Sequence, residues 1–219
     1  MLGRLPIDDK LGDIEFFGRM DRLENMETSQ FLSHLLQETA RVALVQHTGE
    51  TFVTVKPGVA PKDPRAAFHV TSITLVSGFG RLSLKCRFDR RVALEWAAKR
   101  TQSPLSEMSH ELALDYMREL KNVQAGRVRG LFGHAGLIMG MSLPLSLNSD
   151  AWYTTLRMPN AVYEKFEWTL EVDGKSIAYL AEVELRNRAA IDEARSVLEA
   201  KLNEELRRRP GTGDDIELF

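Results

Sequence analysis

The chain has a single cysteine, no long apolar run and no surplus of either charge. Each scarcity excludes something. Cys86 alone can form neither an intramolecular disulfide nor a cysteine-cluster zinc site. No segment approaches the roughly 18 consecutive apolar residues of a spanning helix, so no membrane insertion is expected. A net charge of -2 and a pI near 6.2 leave no basic footprint for nucleic acid. There is no Gly-x4-Gly-Lys-Ser/Thr loop, no Gly-x-Ser-x-Gly elbow and no His-Glu-x2-His. His34, His47, His69, His110 and His134 show no i, i+4 pairing of the kind a helical metal site uses, and no metal of the chain's own is expected. Acidic Asp8, Asp9, Asp13 and Glu15 close behind Met1 do not make a secretory leader, and a cytoplasmic location is expected.

What remains is an ordinary globular composition, 219 residues with 43% hydrophobic and 27% charged. Residues 1–28 read as an N-terminal extension with a weak helical stripe at Ile14, Phe17, Met20 and Leu23. Residues 29–206 read as one domain including its C-terminal helix, and 207–219 as a disordered acidic tail. Within the domain, Ser29 is placed to cap a helix running to about His47, burying Phe31, Leu35, Leu36, Ala40, Ala43 and Leu44. Strand-like runs follow at 51–56, 67–76 and 81–88, the last two joined by the reversal Ser77-Gly78-Phe79-Gly80. Asp89 caps a short helix with Val92, Ala93, Trp96 and Ala97 inward.

Ser103-Pro104 leads toward a long helix that stops near Gly130 to Gly133. Extended runs come next at 136–147, 162–172 and 176–185, and Asp173-Gly174 is the strongest hairpin signal in the chain. A last amphipathic helix, 189–209, buries Ile191, Ala194, Leu198 and Leu202. The order α-βββ-αα-βββ-α predicts an α+β fold, an antiparallel sheet in two three-stranded runs covered by helices.

The long helix carries the chemistry. With Asp115 as the zero of a helical wheel, Glu119, Asn122 and Gly126 fall within about 40° of it. Leu112, Ala113, Tyr116, Met117, Leu120, Val123, Val128 and Leu131 are assigned to the far side. A carboxylate and a carboxamide therefore stand one turn apart on a polar stripe. Gly126 costs about 1 kcal/mol of helix stability relative to Ala, which suits a place where a partner backbone comes close. The spacing Glu-x2-Asn occurs twice, but Glu184-Leu-Arg-Asn187 lies where a strand gives way to a helix, and Asn187 suits the N-cap of that helix. Context separates the first copy: a long helix, Asp115 and Gly126 in line with it, and Pro144 on the strand that follows.

On these residues the chain resembles the CheC, CheX and FliY phosphatases of bacterial chemotaxis. The family motif is an Asp or Ser, three residues, Glu, two residues, Asn, and a proline about two dozen residues on. Here that is Asp115-x3-Glu119-x2-Asn122 with Pro144, within the text Asp115-Tyr-Met-Arg-Glu119-Leu-Lys-Asn122-Val-Gln-Ala125-Gly126 and before the strand Met141-Ser-Leu-Pro144. Lys121 and Gln124 stand where the family usually carries small or apolar residues. One motif helix, not two, is similar to the CheX branch, and the likeness spans about two thirds of the chain.

The resemblance implies a hydrolase of two-component signalling that removes the phosphoryl group from the aspartate of a CheY-like response regulator. Asn122 would place the attacking water, because its carbonyl accepts and its amide donates. Glu119 would pair with a lysine in the partner's active site, and neither residue would form a covalent intermediate. Asp115, Gly126 and Pro144 would support the pair. Magnesium would belong to the phosphorylated partner, with no cofactor on this chain. Arg118 and Arg129, within about 60° of the stripe, could steer an acidic surface. A homodimer is implied as well, with the 162–185 hairpin as the pairing segment. The alternative is a non-catalytic module of the same fold that binds a response regulator without turnover.

Overall fold

Helix α1 (Thr28–Thr48) opens the part of the chain that the computed structural model describes, residues 27–50, 52–59, 68–148, 152 and 157–207. The stripe expected at Ile14 to Leu23 and the segment 208–219 lie outside the described residues. The N-cap of α1 is Glu27, not Ser29: Glu27 and Gln30 make a reciprocal capping box that satisfies two otherwise orphaned N–H groups. Gly49, left-handed at φ 72°, ends the helix.

Strands β1 (Thr54–Pro57), β2 (Phe68–Val76) and β3 (Gly80–Asp89) follow. Asp89 caps helix α2 (Arg90–Thr101), its carboxylate accepting from the Arg91 N–H at 2.7 Å. The long helix α3 (His110–His134) starts later than Ser103-Pro104, after a 3-10 turn at Leu105–Glu107. Ser109 is its cap, accepting from the Leu112 N–H at 3.1 Å. The single run expected at 136–147 is in fact two short strands, β4 (Gly140–Met141) and β5 (Leu145–Asn148), both paired to β2. The break falls around Pro144, which has no N–H to give a ladder.

Strands β6 (Val162–Val172) and β7 (Lys175–Leu185) are joined through Asp173 and Gly174, both at positive φ as a tight hairpin turn requires. Asn187 accepts from the Ala190 N–H at 3.3 Å at the start of helix α4 (Ala189–Arg207), so the second Glu-x2-Asn does serve a helix end.

All pairings are antiparallel, and the strands form one seven-stranded sheet in the order β1-β6-β7-β3-β2-β4, with β5 also on β2. The two expected runs of three are thus one continuous sheet. Alternation sorts its side chains. Leu82, Leu84, Cys86 and Phe88 of β3 and Tyr179, Ala181 and Val183 of β7 join the helices in the main core. Trp96 and Trp168 are in that core. On the opposite face Val70, Trp152, Ala178 and Leu180 form a smaller cluster. Beside them lies a buried ion pair, Lys85 to Glu182 at 3.0 Å, whose carboxylate also accepts from the Tyr163 hydroxyl.

The hairpin expected to pair with a second copy is mostly interior. β7 lies between β6 and β3, and β1 covers β6 from Trp168 to Glu171, so among the described residues the first half of β6 and the first three residues of β7 are what these ladders leave uncovered.

Candidate functional site

Helix α3 crosses the helix-bearing face of the sheet and buries Ala113, Tyr116, Met117, Leu120, Ala125, Val128, Leu131 and Phe132. Leu112, assigned to that face from the sequence, is 49% exposed; on the wheel it lies at about 60° from Asp115, nearer the polar stripe. The opposite stripe is open. Glu119 is exposed and Asn122 half-buried. The Asn122 Nδ2 donates to Glu119 Oε2 at 3.2 Å. The acid and the amide therefore stand side by side on the outside of the helix, held to each other and not drawn into the core. The amide keeps one N–H and its carbonyl lone pairs for another molecule.

The supporting residues are placed unequally. Asp115 and Glu111 both pair with Arg118, the latter at 2.9 Å, and Arg118 Nε donates to Ser146 Oγ at 3.0 Å. These carboxylates, Glu111 first, hold the guanidinium above its ordinary pKa. Arg118 was expected to steer a partner, but its charge is matched by two acids of its own helix. What it does is tie α3 to β5. Pro144 lies two residues before that anchor, between β4 and β5, and no hydrogen bond brings it to Glu119 or Asn122. Arg129 is exposed, about 15 Å along the helix from Glu119 at 1.5 Å per residue.

A methyl group built on Gly126 would meet nothing within 4 Å. The chain itself gives no packing reason for glycine there, and a side chain's first carbon would have room.

On the buried side of the helix, behind the stripe, lie the two polar residues that stand where small or apolar ones were expected. Lys121 and Gln124 are fully buried, and Lys121 Nζ donates to Gln124 Oε1 at 2.7 Å. The ammonium also lies 4.8 Å from the centre of the Tyr179 ring. Burial pushes the Lys121 pKa down to about 8. The same burial raises those of Cys86 and Tyr179.

Two further histidine contacts join residues distant in sequence. His47, in the last turn of α1, donates from Nε2 to the Tyr116 carbonyl at 3.0 Å, while the Tyr116 hydroxyl donates back to the His47 carbonyl at 3.3 Å. Their rings lie 4.2 Å apart. The rings of His69 and His110 approach to 4.7 Å at the start of α3. Among the described residues no group of three His, Cys, Asp or Glu is placed to hold a metal ion. Nor is any described helix long and apolar enough to cross a membrane.

Comparison of the sequence with protein-family models and with curated proteins finds no match. Solved structures do match in shape. One is a chain of the CheX–CheY–BeF3–Mg2+ complex from Borrelia burgdorferi, with a TM-score of 0.55, 15% identity, and coverage of 68% of this chain and 96% of that one. Another is a CheC-like superfamily protein from Shewanella sp. PV-4, with a TM-score of 0.51, 16% identity, and coverage of 68% and 94%. A third is the chemotaxis protein CheX from Vibrio vulnificus, with a TM-score of 0.50, 17% identity, and coverage of 73% and 100%. At such identities the likeness establishes the fold: this chain folds as CheX and CheC-like proteins do, over nearly the whole length of those relatives.

Proposed function

We propose that the protein is a phosphatase for the phospho-aspartate of a CheY-like receiver. One observation carries the reading: Glu119 and Asn122 lie next to each other, outward-facing, on one turn of a helix that is anchored on its other side. In docking, Asn122 turns its carboxamide from Glu119 to a water and a phosphoryl oxygen. Its carbonyl accepts from the water and an N–H donates to the phosphoryl group, fixing an in-line approach. The water oxygen bonds to phosphorus, the bond to the receiver's aspartate breaks, and inorganic phosphate leaves with the aspartate restored as carboxylate. Glu119 pairs with a lysine of the receiver and holds the two proteins in register. Magnesium is the receiver's and supplies charge neutralisation at the phosphoryl oxygens; this chain contributes positioning. The resemblance of the Asp115-x3-Glu119-x2-Asn122 helix, and a fold shared with a chain solved together with CheY, support the reading.

The test is the decay of phosphorylated receivers, taken from the same genome, with and without the protein. Faster decay with wild type, abolished in Asn122→Ala, is the expected result. Decay unchanged for every receiver overturns catalysis; a phosphorylation-dependent complex with unchanged phosphate lifetime would establish the binding module instead. Homodimer formation is a separate proposal, and light scattering at roughly tens of micromolar tests it, since a dimer's population depends on protomer concentration. A monomer there removes it.

A further inference from the structure

The end of α1 is fastened to α3 one turn before Glu119. His47 and Tyr116 exchange two hydrogen bonds in opposite directions, side chain to backbone each time. A carbonyl can only accept, so the His47 hydrogen is on Nε2 and the neutral ring leaves Nδ1 bare. The charged groups that reach this ring are Glu119 of α3 and Arg100 of α2. The Glu50 carboxylate, ion-paired to Lys99 of α2, and Arg100 reach the Tyr116 side of the same contact. Burial holds the imidazole below its ordinary pKa; the hydrogen bond to the Tyr116 carbonyl works most against that shift, the Glu119 charge next, and Arg100 works with it. The ring is therefore neutral at neutral pH, and a proton taken up on Nδ1 would place a new positive charge near the Glu119 carboxylate.

We propose that His47 is a positioning residue for Glu119: its clasp on Tyr116 fixes the helical turn that carries the acid, and its protonation turns Glu119 from a group offered to a partner into a counter-ion of its own chain. The second half rests on the phosphatase reading, in which Glu119 must meet a partner's lysine; the first half does not. The consequence is a protein whose docking face is retracted in acid and presented at neutral pH.

Two arms test this on the full chain. Proton NMR of the histidine rings, titrated in wild type and in Glu119→Gln, reads the contact directly. The His47 midpoint should lie below that of an unperturbed histidine and drop by a further half unit or so in the variant, as the loss of a nearby opposite charge requires. An unmoved midpoint overturns the coupling. The second arm measures receiver decay as the ratio with and without the protein between about pH 5.5 and 8, the range where histidine titrates. The ratio should fall in acid for wild type. His47→Gln keeps an amide donor for the Tyr116 carbonyl but does not titrate, so it should keep the ratio near pH 8 and lose the acid fall. His47→Leu should lower the ratio at every pH, with folding checked by circular dichroism. An acid fall that persists in His47→Gln overturns the proposal. A wild-type ratio of one at every pH defeats the phosphatase reading instead, and the NMR arm still decides whether His47 and Glu119 are coupled.

Discussion

Two pairs of side chains with the same three-residue spacing sit on opposite sides of α3. Outside, Asn122 donates to Glu119 at 3.2 Å in contact with solvent; inside, Lys121 donates to Gln124 at 2.7 Å with neither residue exposed. Chemically the pairs are near mirror images, a charged group and a carboxamide in each. Their environments give them opposite roles. Water screens and competes for the outer pair, so it adds little to stability and remains available to another molecule. Desolvation falls fully on the inner pair, which must satisfy itself or destabilise the fold. Polarity does not separate the two pairs; exposure does, and it leaves only the outer pair open to another molecule.

Substitution on the outside should show the largest effect on activity and the smallest on the fold. Asn122→Ala is expected to reduce receiver dephosphorylation by at least about 100-fold, the loss typical of removing a group that positions or polarises the reacting atoms. Glu119→Ala should lower it through weaker docking. Both should keep stability within about 0.5 kcal/mol, as exposed positions usually do. Thermal melts beside the receiver assay check both halves. A large loss of stability in either variant would mean that the outer pair is structural after all.

The inner pair should behave the other way round. With a folded pKa of about 8 against an ordinary 10.5, Lys121 is bound to its proton more weakly in the fold than in the unfolded chain. Burying its charge below pH 8 thus costs roughly 3 kcal/mol, at 1.36 kcal/mol per pKa unit. As pH rises through 8 the folded state sheds the proton while the unfolded state keeps it, so stability climbs. The trend is opposed from about pH 8.5, where the unfolded chain's thiol ionises, and more strongly near 10, where its phenol does, because Cys86 and Tyr179 hold their protons in the fold. Denaturant melts of wild type should therefore gain about 0.5 kcal/mol between pH 8 and 9, the Lys121 rise less what Cys86 takes back. Replacing both partners, Lys121→Met with Gln124→Leu, should remove that rise and stabilise the protein at pH 7 by about 2 kcal/mol. Gln124→Leu alone should destabilise, since it leaves the ammonium without its acceptor.

Gly126 offers a finer contrast within the outer stripe. A methyl there meets nothing of this chain, so Gly126→Ala should stabilise the helix by roughly 0.5–1 kcal/mol. If a receiver's backbone passes over that point, the same methyl should weaken the complex severalfold. Stability up with affinity unchanged would show that the docking path misses Gly126.

How much of this could be read from the chain depends on sequence distance. The Asp89 cap and the Asp173-Gly174 hairpin are local devices, and each stands where its residues say, whereas α3 starts at the Ser109 cap and not at Ser103-Pro104, because a 3-10 turn intervenes. The exposure of Glu119 and Asn122 follows from the wheel. Gln124, though, lies at about 180° from Asp115 and Lys121 at about 120°, so the same wheel already put them inward. Their polarity hid it, because a buried ammonium is tolerated only when acceptors receive it, and of the two here Gln124 is local to the helix while Tyr179 comes from β7. The His47–Tyr116 clasp joins residues 69 apart in the chain, and no periodicity carries such a contact. The split of β4 from β5 falls around Pro144, whose place in the motif and whose missing N–H are two separate signals, and only the second bears on the ladder.

Arg118 and Arg129 give the smallest contrast. Both project near the stripe, but Arg118 is matched by Glu111 and Asp115 and bonded to Ser146, while Arg129 is exposed further along the helix. A paired charge adds little to the field a partner meets, whereas an unscreened one speeds encounter at low ionic strength. Arg129→Gln should therefore slow association with an acidic partner surface about two- to threefold at low salt and leave it unchanged at high salt. Arg118→Gln should leave the salt dependence alone and cost the fold no more than about 1 kcal/mol, through the lost tie to β5. Stopped-flow association at two ionic strengths separates them. A salt-dependent slowing in Arg118→Gln equal to that of Arg129→Gln would mean that the two acids beside Arg118 let go of it when the partner arrives.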